Sequence, residues 1–220
     1  MSEWWTYRLS DFLLFSPRTW HRLFELYHAW LWPAQPLVLL LGVGLLFALW
    51  RGAPWAPRAC CLALAIAWAW VAWAFHLQRY AAINWAATWF ALDFAFQAVL
   101  MLALAWLSAS GPARRSPTGF ALLIGAVTLM PVLGVACGRR WQEAEVFGLT
   151  PDATVLGTLG FLLVQVHGGR SRALAAWPWL IPLMWCGVGG ATLFALELPW
   201  AGLLPLAGLA AVIAGLARRY

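Results

Sequence analysis

The sequence predicts an all-α, polytopic transmembrane helical bundle of about seven spans, preceded by an interfacial amphipathic helix. Three observations predict it. First, 64% of the 220 residues are hydrophobic and only 10% are charged, whereas soluble domains carry roughly 25% charged residues. Lipid is therefore the solvent for most of the apolar surface. Second, the apolar residues fall in continuous runs and do not alternate, which favours helices over a barrel. Third, the 14 basic residues are all arginine and sit in short connections between the runs. Topology explains them better there than a nucleic-acid partner does.

Residues 1–32 form an N-terminal segment distinct from the transmembrane domain of residues 33–220. Ser16 reads as an N-cap and Pro17 as the first helical position. Trp20, Phe24, Tyr27 and Leu31 share one face of the helix, with Arg18, Arg22 and Glu25 on the other. That pattern suits a helix lying on the membrane surface. His21, Glu25 and His28 are spaced by four and three and line up on its flank. Such a column can bind zinc or iron, but it lacks a fourth ligand, and a solvated polar face is the simpler reading. Residues 1–30 lack the charge, apolar stretch and small-residue site of a cleaved leader.

Seven apolar runs follow, at 33–50, 59–78, 83–107, 118–136, 152–168, 173–196 and 199–217. A crossing needs about 17–25 residues, and the fifth and seventh runs meet this least securely. With seven spans, one side carries Arg8, Arg18, Arg22, Arg79, Arg139 and Arg140. The other carries Arg51, Arg58, Arg114, Arg115, Arg170, Arg172, Arg218 and Arg219. Acids outside the spans (Glu3, Asp11, Glu25, Glu143, Glu145, Asp152, Glu197) all fall on the first side. The arginine bias places the N-terminus outside and the C-terminus in the cytoplasm of a bacterial inner membrane. Trp32, Trp50, Trp85, Trp106, Trp177 and Trp200 lie near span ends, where indole rings sit at the headgroup level. Trp68, Trp70, Trp73 and Trp89 lie deeper and are expected to pack between helices.

Chemistry is sought first at Asp93, near the middle of the third span. An ionised carboxylate there costs on the order of 3 kcal/mol, and such residues face the bundle interior, bind a ligand or relay protons. Gln97, at i+4, shares its face. The other reading is a carboxyl that joins helices through Gln97, Thr128 or Thr158. No other acid and no basic residue is read as lying deep in a span. The second candidate is "GLTPDATVLGTLG", Gly148 to Gly160. Thr150 reads as N-cap, Pro151 as the first helical position and Asp152 as a first-turn acid. Thr154 and Thr158 share a face, with Gly157 and Gly160 nearby. Close helix packing explains these small residues. The alternative is a helix N-terminus offered to a small ligand, and the shortness of the run suits a broken or re-entrant helix. The ligand-binding candidates are thus Asp93, Gln97, Thr154 and Thr158. Cys60, Cys61, Cys137 and Cys186 form no C-x-x-C pair and read as inert thiols.

"FELYHAWLWPAQ" (Phe24 to Gln35), "FGLTPDATVLGTLGFLL" (Phe147 to Leu163) and "WPWLIPLMWCGVGGATLFAL" (Trp177 to Leu196) resemble an uncharacterised family of bacterial integral membrane proteins. That family is known only as a domain of unknown function. The resemblance covers nearly the whole chain and implies no activity, cofactor or partner. The family pattern carries Asn where this chain has His28, which weakens the metal reading.

The chain has no phosphate loop, G-x-S-x-G, H-E-x-x-H or dinucleotide fingerprint. No lysine is present to carry retinal, and no C-x-x-C-H to attach haem. Three functions remain. The first is a small transporter or permease built on Asp93. The second is a non-catalytic subunit or scaffold that docks a protein partner or a second copy. The third, ranked last, is a membrane enzyme, because one deep acid is few for general acid–base work. The lipid bilayer is the expected partner in every case, and the cofactor is left open.

Overall fold

The hydrophobic runs become nine α-helices in the computed structural model, which describes residues 14–107, 111–165 and 176–217. They are α1 (Pro17–Leu31), α2 (Ala34–Trp50), α3 (Ala56–Trp70), α4 (Ala87–Leu107), α5 (Pro117–Ile124), α6 (Met130–Ala136), α7 (Pro151–Val164), α8 (Trp177–Ala195) and α9 (Leu203–Leu216). No strand occurs among the described residues. Arg8, Arg170, Arg172, Arg218, Arg219, Glu3 and Asp11 lie outside the described residues, as do the end of the 152–168 run and the start of 173–196.

Every expected apolar run contains a helix, but not every helix is long enough to cross a bilayer. Four are: Ala56–Ala82, Ala87–Trp106, Pro117–Ala136 and Trp177–Ala195. A fifth span arises only if α1 and α2 are counted together, and they are bent by 85°. The helices α7 and α9 are apolar but shorter. Seven full-length helical spans are therefore not observed. At a rise of 1.5 Å per residue, the 14 residues of α7 reach only about 21 Å, against about 30 Å of hydrocarbon.

Two of the long helices are continuous through π-helical turns. Val71–Leu77 extends α3, and Gly125–Leu129 joins α5 to α6. Such turns shift the register of the helix face and recur at functional sites.

Helix α1 starts as its sequence predicts. The Ser16 side chain accepts a hydrogen bond from the Thr19 amide at 3.2 Å, and Pro17 opens the helix. Its apolar face is turned onto the bundle: Trp20 and Phe24 pack against Phe75, with ring centroids 6.4 and 5.3 Å away. Arg18 and Arg22 stay exposed.

The bundle is organised around α7, all 14 residues of which are buried. Helices α3, α5, α8 and α9 surround it. The α5–α7 crossing is made by glycines. A Cβ added at Gly160 would stand 2.7 Å from the Gly119 carbonyl oxygen and 2.8 Å from the Leu123 nitrogen. Only two backbones can approach so closely, which is how small residues drive helix association in lipid.

The outer faces are apolar. Leu40, Ile66, Val99 and Leu209 are all exposed, as is expected where the solvent is hydrocarbon. Of the six tryptophans read at span ends, Trp32, Trp50, Trp85, Trp106 and Trp177 are exposed and Trp200 is half-buried. Of the deeper tryptophans, Trp68 is fully buried, Trp89 is exposed and so does not pack between helices, and Trp73 is partly exposed with its ring 6.4 Å from that of Trp30 on α1. Among the cysteines, Cys60, Cys61 and Cys186 are buried and Cys137 is exposed, all as free thiols.

Candidate functional site

Helix α7 begins inside the bundle. Asp152, in its first turn, accepts a hydrogen bond from Trp185 Nε1 at 2.8 Å. Trp185 lies near the middle of α8, eight residues after Trp177. Just upstream, a Cβ at Gly148 would meet Ala67, well inside the Ala56–Ala82 span, at 3.7 Å. Residues 144–150 therefore thread into the bundle without regular helix before α7 starts. Non-helical backbone at such depth is tolerated only where protein encloses it. It is enclosed here: Ala144, Val146, Leu149 and Thr150 are buried.

Local hydrogen bonds fix this unwound segment. Thr150 stands at the N-cap position but makes no capping bond to α7. Instead its hydroxyl accepts from the Val146 amide at 2.9 Å and donates to the Val146 carbonyl at 3.1 Å. Thr154 Oγ1 accepts from the Gly148 amide at 3.1 Å and donates to the Thr150 carbonyl at 2.7 Å. The backbone turns at Gly148, with φ of +81°, a conformation that costs glycine nothing. From α1, Tyr27 Oη donates to the Leu149 carbonyl at 2.8 Å.

Two acids bracket this segment: Glu145 near its beginning and Asp152 in the first turn of α7. Glu145 is partly buried, and its Oε2 is enclosed with no hydrogen-bond partner among the described residues.

An aromatic wall stands beside the pair. Trp185 packs on Phe94, Phe90 and His76, with centroids 4.9, 5.3 and 5.2 Å away. His76 lies in the π-helical turn, fully buried, and among the described residues neither ring nitrogen has a hydrogen-bond partner. Tyr80 is also buried, and its hydroxyl accepts from Asn84 Nδ2 at 2.9 Å.

Arg139 closes the outer end. Its Nε donates to Glu143 Oε2 at 2.9 Å, its guanidinium donates to His21 Nδ1, and its Cζ lies 5.2 Å from the Trp200 ring centroid. His21 accepts this bond and so is neutral; burial first, and then Arg139, lower its basicity. Glu25 pairs with Arg22 at 2.8 Å and Arg140 at 3.2 Å. The guanidiniums, Arg22 first, lower its carboxyl.

The four ligand-binding candidates are not gathered into one site. Asp93 is half-buried, at the edge between the buried Phe94 and Gln97 and the exposed Leu92 and Phe96. Among the described residues it has no hydrogen bond or ion pair. Gln97 is fully buried and donates to the Pro178 carbonyl at 2.9 Å, with its own Oε1 unpartnered. Thr158 donates to the Thr154 carbonyl at 2.8 Å and accepts from Trp68 Nε1 at 2.9 Å. Thr128 is exposed and bonds to the Ile124 carbonyl. None of these three holds Asp93.

The His21–Glu25–His28 column is also divided. His21 and Glu25 take the partners just described, while His28 is buried beside Phe24 and Tyr27. Among the described residues no three His, Cys, Asp or Glu side chains are placed to hold a metal.

Sequence reasoning missed Glu145 and His76 and took Asp152 for a helix-end acid. The reading that no second acid and no basic residue lies deep is corrected by Asp152 and His76. The available signal was Thr150-Pro151-Asp152 opening a run too short to cross a bilayer, at a helix that starts inside the bundle.

Among curated proteins and solved structures, none matches the chain. A family model described as a family of unknown function (DUF6064) matches residues 18–220. That match spans nearly the whole chain, and the protein belongs to this family of unknown function.

Proposed function

We propose that the protein is a small proton-coupled permease whose coupling group is the Glu145–Asp152 carboxyl pair. One observation carries the reading: two acids, Glu145 with an enclosed carboxyl oxygen and buried Asp152, stand on either side of the point where an unwound segment becomes a short buried helix. Discontinuous helices with ionisable groups at mid-depth are the common construction of secondary transporters. A pair that shares a proton takes up one charge and releases it when its surroundings change.

In this reading the chain sits in the bacterial inner membrane, N-terminus outside and C-terminus cytoplasmic. Seven segments cross, and the unwound residues 144–150 complete the crossing that α7 is too short to make. Asp93, at the outer edge of α4, is secondary to the pair.

The test is proton flux into liposomes loaded with a pH-sensitive dye under an imposed potential. Protein-containing vesicles should acidify faster than empty ones, and Glu145→Gln and Asp152→Asn should each remove the difference. Flux no greater than in empty vesicles, with a stoichiometric protein partner co-purifying from the host membrane, would replace the permease by a membrane subunit.

A further inference from the structure

A groove of about 1050 Å³ runs between α2 and α5 on the outer face of the bundle. Its walls are apolar, with Val43 and Phe47 from α2 and Phe120 and Ile124 from α5. Arg51 and Arg115 line the same groove, where α2 ends and α5 begins. We propose that this groove binds one anionic glycerophospholipid, its phosphate held by Arg51 and Arg115 and its acyl chains laid along the apolar walls.

Charge complementarity carries the assignment. The four ion pairs among the described residues involve His21, Arg22, Arg139 and Arg140 with Glu25 and Glu143. All of them lie at the opposite end of the bundle. No described acid stands near Arg51 or Arg115, and neither is in an ion pair. Their neighbours are otherwise engaged: Arg58 lies 5.3 Å over the Trp106 ring. The Arg114 amide donates to the Val164 carbonyl at 2.6 Å, which fixes the chain next to Arg115. Arg51 lies 6.0 Å from the Phe47 centroid, so its guanidinium stays against the groove wall.

Unneutralised guanidiniums at one end of an apolar groove, at the level where helices leave the bilayer, match a lipid phosphate above its chains. A free anion would use the arginines and leave the apolar walls unused. The arginine-rich side is the one expected to face the cytoplasm, where anionic lipid is concentrated.

The experiment is native mass spectrometry of delipidated full-length protein offered equal amounts of phosphatidylglycerol and phosphatidylcholine. Wild type should retain one phosphatidylglycerol in preference, and R51Q/R115Q should lose that preference by about tenfold or more. V43W fills the groove and leaves both arginines in place; it should lose the lipid as well. R18Q, an exposed arginine at the far end, should behave as wild type. Equal retention of the two lipids by wild type overturns the proposal. So does a preference that survives in R51Q/R115Q or in V43W, or displacement of the lipid by inorganic phosphate alone.

Discussion

Trp185 Nε1 donates to Asp152 Oδ1 at 2.8 Å, joining the middle of α8 to the first turn of α7. Both residues are buried, so water cannot replace the bond. Removing the donor from a buried carboxyl costs about 1–3 kcal/mol. Trp185→Phe is expected to lower stability by that amount, read from unfolding in mixed detergent micelles. A double-mutant cycle with Asp152→Leu isolates the pair; its coupling term should be favourable. An additive cycle would mean that the bond contributes nothing net.

Thr158 tests whether a sequence-predicted ligand residue is structural. Its one donor proton goes to the Thr154 carbonyl and it accepts from Trp68 Nε1, so no donor is left for a ligand. Thr158→Val keeps the shape and orphans a buried indole N–H. The expected loss is about 1–3 kcal/mol of stability with no change in proton flux per folded molecule. Loss of flux at unchanged stability would return Thr158 to the site.

Gly160 is expected to be among the least tolerant positions of the bundle. An added methyl meets backbone atoms of α5 at 2.7 and 2.8 Å, and backbone cannot move aside as a side-chain tip can. Overpacking of this kind costs about 1–3 kcal/mol. Gly160→Ala should show it in the same unfolding assay. Gly187→Ala, where an added Cβ meets nothing within 4 Å, should be nearly neutral.

The positions of the helices were legible because hydrophobic runs need no tertiary information. Ser16 and Pro17 announced α1, and its four buried aromatic and aliphatic residues were readable from spacing alone. Depth was not legible. Composition cannot say that residues 144–150 enter the bundle unwound, because Glu145 in sequence looks like any acid of a polar connection. Only the packing of Gly148 near Ala67 and of Asp152 under Trp185 places it inside. Asp93 misled for the converse reason. A carboxylate in an apolar run draws notice, yet its helix rotation puts it at the rim, beside exposed Leu92 and Phe96. His76 drew no notice in the sequence, because the π-helical turn that carries it leaves no periodic signature in one sequence.

His28 supplies an acid-side pH dependence. Burial lowers its pKa from 6.5 to about 4, and the nearby Gln142 backbone opposes this only in part. A depressed histidine pKa means that the unfolded chain binds the proton more tightly. Stability is therefore retained above pH 6.5 and falls between 6.5 and about 4. At 1.36 kcal/mol per unit, the loss is roughly 3 kcal/mol once both forms are protonated. His28→Asn should flatten this slope, as followed by melting temperature against pH.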